Sequence, residues 1–299
     1  MTTRRRALTI LAGAAVLPVL GARANTALSE WNGVALGANA RIILDHPDGD
    51  QLIASAVKEI HRLESIFSLY QEGSQLSRLN RDGVLEAPAF EMIELLSICS
   101  NINARTNGAF DPTVQTLWAL HAEMISMGTS PSEASILDAM QRTGWKHVAY
   151  SGSEVSFAGQ GMALTLNGIA QGYIADRITR LFRNNGVKNV LVNTGEISAL
   201  GTAPNGDGWN VKLGNADGTS LSLNNASIAT SASLGTTFDA EETVGHILDP
   251  RTGYPGDVWS QVSVVSKSAA EADGLSTAFC LMNETEIAAA KGSFDVYLR

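Results

Sequence analysis

The amino-acid sequence predicts an α+β fold in a single compact domain. The first half carries helical patterns with apolar residues three and four positions apart. The second half alternates short strand-like runs with Asn, Gly and Asp turns, without a regular strand–helix–strand rhythm. A chain of 299 residues can form one large domain or two small ones. Because no repeat, low-complexity block or Pro/Ser linker divides it, we expect one.

Three helices are predicted in the first half. Residues 50–68 have apolar residues at helical spacing, with Asp50 as the expected N-cap, and residues 89–106 repeat the pattern. The run Ser130-Pro131-Ser132-Glu133 has the form of a capping box with proline at the first helical position. It predicts a third helix that ends near Thr143.

The second half is expected to begin with a helix that is entered at residues 168–172 and ends near Asn184. Four strands are predicted to follow in the second half, at residues 189–192, 209–213, 220–223 and 260–265. A final helix is predicted over Ala270–Met282. The last helix carries a carboxylate and two hydroxyls on its first turns.

The N-terminus, residues 1–24, reads as a signal peptide rather than as part of the fold. It consists of a cationic start at Arg4–Arg6, an apolar run over Ala7–Leu20 and the A-x-A cleavage pattern Ala22-Arg23-Ala24. The apolar run is shorter than the about 20 residues that span a bilayer. Paired arginines favour the twin-arginine route over general secretion. We therefore predict a periplasmic protein that is not membrane-anchored after cleavage, with residues 25–299 as the mature domain.

The charge of the chain argues against two classes of partner. Removing the four arginines of residues 1–24 takes the formal net charge from −9 to −13. No cluster of Lys and Arg follows residue 25. An acidic chain of this kind argues against nucleic acid and against an anionic membrane surface as partners.

The two cysteines, Cys99 and Cys280, each lie in an apolar helical pattern. Two buried free thiols are the favoured interpretation, and a disulfide in an oxidising compartment is the alternative. There is no CxxC motif and no zinc-type cluster of Cys and His. Thiol chemistry is not indicated.

Two segments near the C-terminus suggest phosphoryl-transfer chemistry. Residues 245–253 bring together His246, Asp249 and Arg251, of which the histidine and the arginine suit a polyphosphate held by a cation. Asp273, Ser276 and Thr277 share one helical face, and their oxygens suit a hard cation such as Mg²⁺. Each has a plainer alternative: His246 as a packed histidine, Arg251 paired with Asp249, and Asp273 as a partner of the helix dipole.

Three further segments are weaker signals. Residues 110–114, Phe-Asp-Pro-Thr-Val, have the composition of an ordinary turn. Residues 168–172 place two glycines four apart at a helix entry, where backbone N–H groups can approach an anion. Residues 193–196, Asn-Thr-Gly-Glu, read as a strand-end turn with ordinary loop chemistry. None of them decides the function alone.

The order of the motifs is more specific than any one of them. They are Ser68-Leu69-Tyr70, Ser77-Arg78-Leu79-Asn80, Phe-Asp-Pro-Thr-Val at 110–114, Gly-Ile-Ala-Gln-Gly-Tyr-x-x-Asp at 168–176, Asn-Thr-Gly at 193–195, His-x-x-Asp-Pro-Arg-Thr-Gly at 246–253 and Ala-Asp-x-x-Ser-Thr-Ala at 272–278. In this order they resemble the ApbE-type FAD:protein FMN transferases, from about residue 30 to the C-terminus. Residues 110–118 and the signal peptide resemble most the NosX branch, exported flavin transferases linked to nitrous oxide reductase maturation.

The resemblance implies an ApbE-like domain with mixed or antiparallel sheets and packed helices. It also implies an enzyme that cleaves FAD in the presence of Mg²⁺ and attaches FMN to a Ser or Thr hydroxyl of a target protein, releasing AMP. By position, the implied metal ligands are Gly168, Asp273, Ser276 and Thr277. The implied FAD-binding residues are Tyr70, Phe110, Asp111, Pro112, Thr165, Gln171 and Leu248. His246 is the implied base, and Asp273 is counted with it as catalytic.

This chain departs from the resemblance at one place, where Thr165 stands in the position at which many family members carry an aspartate. Two alternatives therefore remain: an FAD pyrophosphatase that gives FMN and AMP, and a non-catalytic flavin-binding or delivery protein. The implied acceptor carries a Ser/Thr-Gly-Ala-Thr-like segment. The branch resemblance points to a membrane flavoprotein with a periplasmic FMN domain.

Overall fold

The computed structural model of the protein describes residues 28–213 and 220–299. The predicted signal peptide, residues 1–24, lies outside the described residues. Within them, none of the helices combines the length and the apolar character that crossing a membrane requires.

The described chain begins with a hairpin that the sequence analysis did not predict. Strands β1 (Leu28–Ala35) and β2 (Ala38–Asp45) pair antiparallel and are joined by the two residues Leu36 and Gly37. Both have positive φ, 47° and 83°, which matches the twist that two-residue hairpins require. The turn lacks the usual Asn-Gly signal, so the local sequence does not predict it.

The remaining strands and the helices alternate along the chain. The strands are β3 (Val84–Glu86), β4 (Val148–Tyr150), β5 (Glu154–Phe157), β6 (Val190–Asn193), β7 (Ile197–Leu200), β8 (Trp209–Lys212), β9 (Ser220–Leu223), β10 (Ala226–Ala232), β11 (Gln261–Ser266) and β12 (Asp295–Leu298). The helices are α1 (Gly49–Phe67), α2 (Gln75–Asp82), α3 (Phe90–Arg105), α4 (Gln115–Ser126), α5 (Glu133–Gln141), α6 (Ala170–Asn184), α7 (Ala269–Phe279) and α8 (Glu284–Ala290). Short 3-10 turns lie at Pro112–Val114 and Trp145–His147.

The main sheet has seven strands in the order β1-β2-β6-β7-β10-β11-β12, and every neighbouring pair is antiparallel. A three-stranded sheet, β3-β5-β4, and the β8–β9 hairpin complete the strands of the described ranges. Helices α1, α6 and α7 pack together with the main sheet around one large apolar core. The predicted α+β class is therefore confirmed.

Three predicted boundaries need correction. The third predicted helix does not begin at Ser130–Pro131: it begins at Glu133, because the Ser132 hydroxyl is the cap and accepts from the Ser135 N–H. The first helix begins at Gly49, one residue before the expected cap. The helix after β11 ends at Phe279 and is not the last element, since α8 and β12 follow.

The prediction for the cysteines is confirmed. Cys99 lies in α3 and Cys280 directly follows α7, and both are buried free thiols. Burial raises the pKa of both thiols, that of Cys280 to about 12. Neither is activated for thiolate chemistry.

Candidate active site

A cavity of about 380 Å³ opens between the main sheet and helices α4, α6 and α7. Segments that are far apart in the sequence meet at its wall. The wall is formed by Leu36, Leu69, Tyr70, Val114, Gln115, Trp118, Thr165, Asn167, Gly168, Gln171, Gly195, Glu196, Thr230, Ser231, Ala232, Thr236, His246, Ile247, Leu248, Gln261, Asp273 and Thr277. Among the residues that the structure describes, this wall contains two carboxyl groups and one imidazole, but no Lys or Arg.

Asp176 of α6 sets the position of α7. Its carboxylate accepts hydrogen bonds from the backbone N–H groups of Ala269 (2.8 Å) and Ala270 (3.1 Å) and from the Ser268 hydroxyl (2.7 Å). These are first-turn donors that a helix leaves unsatisfied, and a carboxylate there also complements the helix dipole. The family-like Gly-Tyr-x-x-Asp run thus serves to orient the helix that carries Asp273.

Asp273 is the most deeply held carboxyl on the cavity wall, with 3% of its surface exposed. Its Oδ2 accepts a 3.0 Å hydrogen bond from the Gly172 N–H. Burial raises the pKa of Asp273 to about 7, the Gly172 N–H opposes this shift and the charge of Asp176 adds to it. A cation bound there would compensate the buried charge.

Thr277, one turn after Asp273 on α7, lies against Gly168. A Cβ at Gly168 would come within 2.9 Å of Thr277 Oγ1, so glycine keeps the space beside this hydroxyl open. Thr277 Oγ1 also lies 3.3 Å from Ser231 Oγ. Asp273, Thr277 and Gly168 therefore lie together at one part of the wall. Residues that bind one metal ion, as these three are predicted to do, must lie close together.

Ser276 is brought near this group but does not line the cavity. It is fully buried, its hydroxyl donates to Asp273 O (3.0 Å) and it contacts Ser231 Oγ at 2.8 Å. These two hydrogen bonds hold Ser231 against α7.

His246 lies on the wall with a defined tautomer. Its Nδ1 is 2.8 Å from Thr236 O, and because a carbonyl can only accept, Nδ1 carries the hydrogen. The backbone N–H of His246 bonds the same carbonyl at 3.1 Å. Burial lowers the pKa of His246, which favours the neutral ring. Nε2 is then left with a lone pair that can accept a proton.

Arg251 forms a structural ion pair with Asp249. Its guanidinium binds Asp249 through Nε (2.9 Å) and Nη2 (2.7 Å), and Nη2 also donates to Leu281 O (2.7 Å). It is not part of the cavity wall. Of the two alternatives drawn from sequence, the structure supports pairing with Asp249 over phosphate binding.

Phe110, Asp111 and Pro112 lie behind the wall rather than on it. Phe110 packs in the core, and the Asp111 carboxyl accepts from the N–H and hydroxyl of Thr113 (2.9 and 2.6 Å) and from the Trp145 N–H (2.8 Å). Pro112 O accepts from the Thr165 N–H at 2.8 Å. The segment thus fixes Thr165, which does line the cavity.

The other predicted flavin-binding residues line the cavity. Tyr70 stands at its mouth with 65% of its surface exposed, whereas Leu248 and Gln171 are buried. The Gln171 amide packs on Gly195, where a Cβ would come within 2.6 Å of Oε1 and where φ is +104°.

Sequence analysis missed Glu196, which follows this glycine. It lines the cavity, is 6% exposed and accepts a 3.0 Å hydrogen bond from the Thr230 N–H. Burial raises the pKa of Glu196 well above its usual range, and the charge of Asp273 adds to the shift. A glutamate at the end of an Asn-Thr-Gly turn carries no sequence signal of burial, because the residues near it, Thr230 of β10 and Asp273 of α7, are distant in the sequence.

Comparison with known proteins assigns the family. A family model described as the ApbE family matches residues 36–297. The chain belongs to the ApbE family. Members similar to it include the FAD:protein FMN transferase of Chlamydia pneumoniae, 30% identical over 234 residues, which cover 73% of this chain and 72% of that protein. An FAD:protein FMN transferase of Klebsiella pneumoniae (strain 342) is 30% identical over 261 residues, with 81% and 79% covered.

Solved ApbE structures share the fold. The apo form of Pseudomonas stutzeri flavinyl transferase ApbE superposes with a TM-score of 0.80 at 26% identity, covering 91% of this chain and 90% of that one. The ApbE protein of Thermotoga maritima has a TM-score of 0.79 at 24% identity, with 91% and 94% covered. The predicted ApbE-like domain is thereby confirmed.

The donor groups of this ApbE-family cavity fit a magnesium-type ion. A carboxylate, a hydroxyl and a backbone carbonyl are hard oxygen donors, and Mg²⁺ commonly uses one or two carboxylates together with substrate phosphates. Within residues 28–213 and 220–299, no group of three or more His, Cys, Asp or Glu residues could hold a metal. The set of Asp273, Thr277 and Gly168 thus suits an ion that is completed by water and substrate oxygens.

Proposed function

We propose that this ApbE-family protein is an FAD:protein FMN transferase. It moves FMN from FAD to a Ser or Thr hydroxyl of a target protein and releases AMP. The observation that carries the proposal is the placement of the His246 imidazole and the Asp273–Thr277 oxygen donors on one cavity wall. The names of the relatives described above support the same reaction.

The charges of the wall support a divalent cation in this reaction. A pyrophosphate is anionic, yet the wall offers two carboxyls and no Lys or Arg. Burying such an anion without compensation would be costly. Asp273, Thr277 and the Gly168 carbonyl would hold Mg²⁺, which neutralises charge on the pyrophosphate and on the departing phosphate.

His246 is the general base of the proposed step. The attacking oxygen of the Ser or Thr acceptor forms a bond to the FMN phosphorus, while the bond from that phosphorus to the bridging oxygen breaks and AMP leaves. The hydroxyl proton passes to His246 Nε2. Since Nδ1–H is held by Thr236 O, the ring keeps both the tautomer and the orientation that the transfer needs.

The remaining residues bind and orient the donor. Tyr70 and Leu248 offer ring and aliphatic surface for the flavin or adenine ring, and Thr165 and Gln171 offer polar contacts nearby. Pro112 acts through Thr165, whose N–H donates to the Pro112 carbonyl, while Phe110 and Asp111 fix the same segment through the core and through Thr113 and Trp145. Ser276 supports the ligand set through its hydrogen bond to Asp273 O rather than as a ligand itself.

The acceptor and the cellular location are further parts of the proposal. We infer a periplasmic protein, exported by the twin-arginine route, whose acceptor is a membrane flavoprotein with a periplasmic FMN domain and a Ser/Thr-Gly-Ala-Thr-like segment. The NosX-like motifs support a role in nitrous oxide reductase maturation. The pattern of residues 1–24 supports export.

The test is a flavinylation assay. The protein without residues 1–24, FAD and Mg²⁺ are mixed with an acceptor domain carrying the Ser/Thr-Gly-Ala-Thr segment, with and without EDTA. In-gel fluorescence and the mass of the denatured acceptor report covalent FMN. The same assay is run with Asp273→Asn and with Glu271→Gln, which removes a carboxylate from the same helix but outside the cavity.

The proposal expects covalent FMN on the acceptor with the wild type and with Glu271→Gln, and none with EDTA or with Asp273→Asn. Free FMN and AMP beside an unlabelled acceptor would instead identify an FAD pyrophosphatase. Bound but intact FAD would identify a delivery protein.

A further inference from the structure

The carboxyl of Glu196 is fixed more firmly than a solvent-facing loop residue would be. Glu196 is the last residue of the β6–β7 turn, where the Thr194 N–H donates to Glu196 O (3.0 Å) and the Gly195 N–H to Asn193 Oδ1 (3.0 Å). The Thr194 hydroxyl binds Gln171 O at 2.9 Å, which ties the turn to α6. The backbone at Glu196 is therefore anchored from both sides.

One carboxyl oxygen of Glu196 has a structural role at the sheet. The β7–β10 ladder runs from Ala199↔Ala226 to Ile197↔Ile228 and stops there, while β10 continues to Ala232. The next β10 amide on this side, Thr230 N–H, is satisfied by Glu196 Oε2 at 3.0 Å. The side chain thus replaces the main-chain acceptor that the departing strand no longer supplies.

This role does not require a carboxyl. An amide side chain would accept the same hydrogen bond without placing a titratable group in a buried position, which is costly. Within the described ranges, Thr230 N–H is the hydrogen-bond donor to the Glu196 side chain, and the residue lies on the cavity wall. The second oxygen is left for a partner inside the cavity.

The chemistry of the expected reactants selects that partner. Phosphate oxygens only accept hydrogen bonds, so the pyrophosphate could pair with the protonated carboxyl but not with the ionised one. A hydroxyl both donates and accepts, so it suits the carboxyl in either state. Hydroxyl groups donate, and they occur on the ribityl chain of the flavin, on ribose and on the Ser or Thr that receives FMN. A carboxyl is a strong acceptor for such a group.

On the basis of the proposed function, we propose that Glu196 binds a hydroxyl of one of the two reactants with the carboxyl oxygen that Thr230 does not use, and so aligns that reactant beside Asp273. Its role is in substrate binding and specificity, since Glu196 takes no part in bond breaking.

The test compares Glu196→Gln, Glu196→Ala and Glu271→Gln with the wild type. In Glu196→Gln, the amide oxygen can still accept from Thr230 N–H, while an NH₂ donor replaces the acceptor that faces the cavity. Glu196→Ala removes both contacts. The measurements are the thermal midpoint, the Kd for FAD with Mg²⁺ and the kcat/KM for the acceptor domain.

If the hydroxyl belongs to FAD, Glu196→Gln raises the Kd for FAD about tenfold at an unchanged thermal midpoint. An FAD analogue without the relevant ribityl or ribose hydroxyl then binds wild type and variant equally. If the hydroxyl belongs to the acceptor, the Kd for FAD is unchanged and kcat/KM for the acceptor falls about tenfold. Either result supports the proposal.

The proposal on Glu196 would be overturned if Glu196→Gln had the same FAD affinity and the same kcat/KM for the acceptor as the wild type. In that case only Glu196→Ala would be impaired, through its lower stability. The wild-type assay is read first. If the wild type binds FAD without transferring FMN, the proposed function fails, and the FAD-binding comparison still decides whether Glu196 contacts a donor hydroxyl.

Discussion

The backbone N–H of Gly172 donates a 3.0 Å hydrogen bond to Oδ2 of Asp273, which joins the first turn of α6 to the carboxyl at the cavity wall. The contact depends on a close approach of the two helices. A Cβ at Gly172 would lie 2.3 Å from Ala269 O, so only glycine allows this spacing. The helix entry that sequence suggested for anion binding instead holds the expected metal ligand.

We expect Gly172→Ala to separate α6 from α7, because the atom it meets is backbone and cannot move aside like a flexible side chain. Overpacking of this kind costs about 1–3 kcal/mol in free energy of unfolding. FMN transfer should be lost with it, since Asp273 loses its donor. Denaturant unfolding and the flavinylation assay measure both effects. Gly73→Ala is the control: a Cβ there meets nothing within 4 Å, and its stability and activity should match wild type.

Asp273 should make the stability of the metal-free protein depend on pH. Burial raises its pKa from 3.8 to about 7, so the folded state holds this proton more tightly than the unfolded chain does. Stability is therefore expected to fall as pH rises from 4 to 7, and Asp273→Asn should remove this part of the dependence. Chemical unfolding across this range, without divalent ions, measures it. Parallel curves for the two proteins would contradict the expectation.

Protons and the cation should compete for the same carboxylate. Below about pH 7, we expect the Mg²⁺ concentration that half-activates FMN transfer to rise as pH falls, because Asp273 must lose its proton to bind the ion. Titrations of activity with Mg²⁺ at several pH values measure this. A half-activating concentration that does not change with pH would show that the ion does not use Asp273.

His246→Gln should lose about 10²–10⁴-fold in kcat for FMN transfer while FAD binding is retained. At saturating Mg²⁺, which would keep Asp273 ionised, the wild-type acid limb of the pH profile should lie below 6.5, because burial lowers the pKa of His246. His61→Gln, an exposed histidine on α1, is the control and should behave as wild type. An equal loss of FAD affinity in His246→Gln would point to a binding role instead of a base.

Arg251→Ala is expected to reduce stability more than catalysis. It leaves Asp249 with only the backbone N–H of residue 251 (2.8 Å) and leaves Leu281 O without the guanidinium, which costs about 1–3 kcal/mol. The KM for FAD should be unchanged in the folded fraction, because Arg251 is not on the cavity wall. Arg81→Ala breaks an exposed pair with Asp82 and should leave the thermal midpoint unchanged. A raised KM for FAD in Arg251→Ala would support the phosphate-binding alternative.

Local patterns in the amino-acid sequence were enough to predict several helices and the family. The apolar spacing of residues 50–68 and 89–106 specified α1 and α3, because a helix buries one face at a period of 3.6 residues. The spacing of Asp273 and Thr277 placed both on one side of α7. The order of the motifs indicated the ApbE family, which the family comparison confirmed.

Which of these residues lie in contact depends on how distant segments fold together. The β1–β2 turn places Leu36 at positive φ, which its local sequence does not encode. Similarly, β10 and β12 are strands because neighbouring strands pair with them. The burial of Glu196 arises from packing between segments that are distant in sequence, as does the position of Asp111 behind Thr165. Hydrogen bonds and burial at such sites depend on elements brought together by folding, and a local sequence pattern does not contain that information.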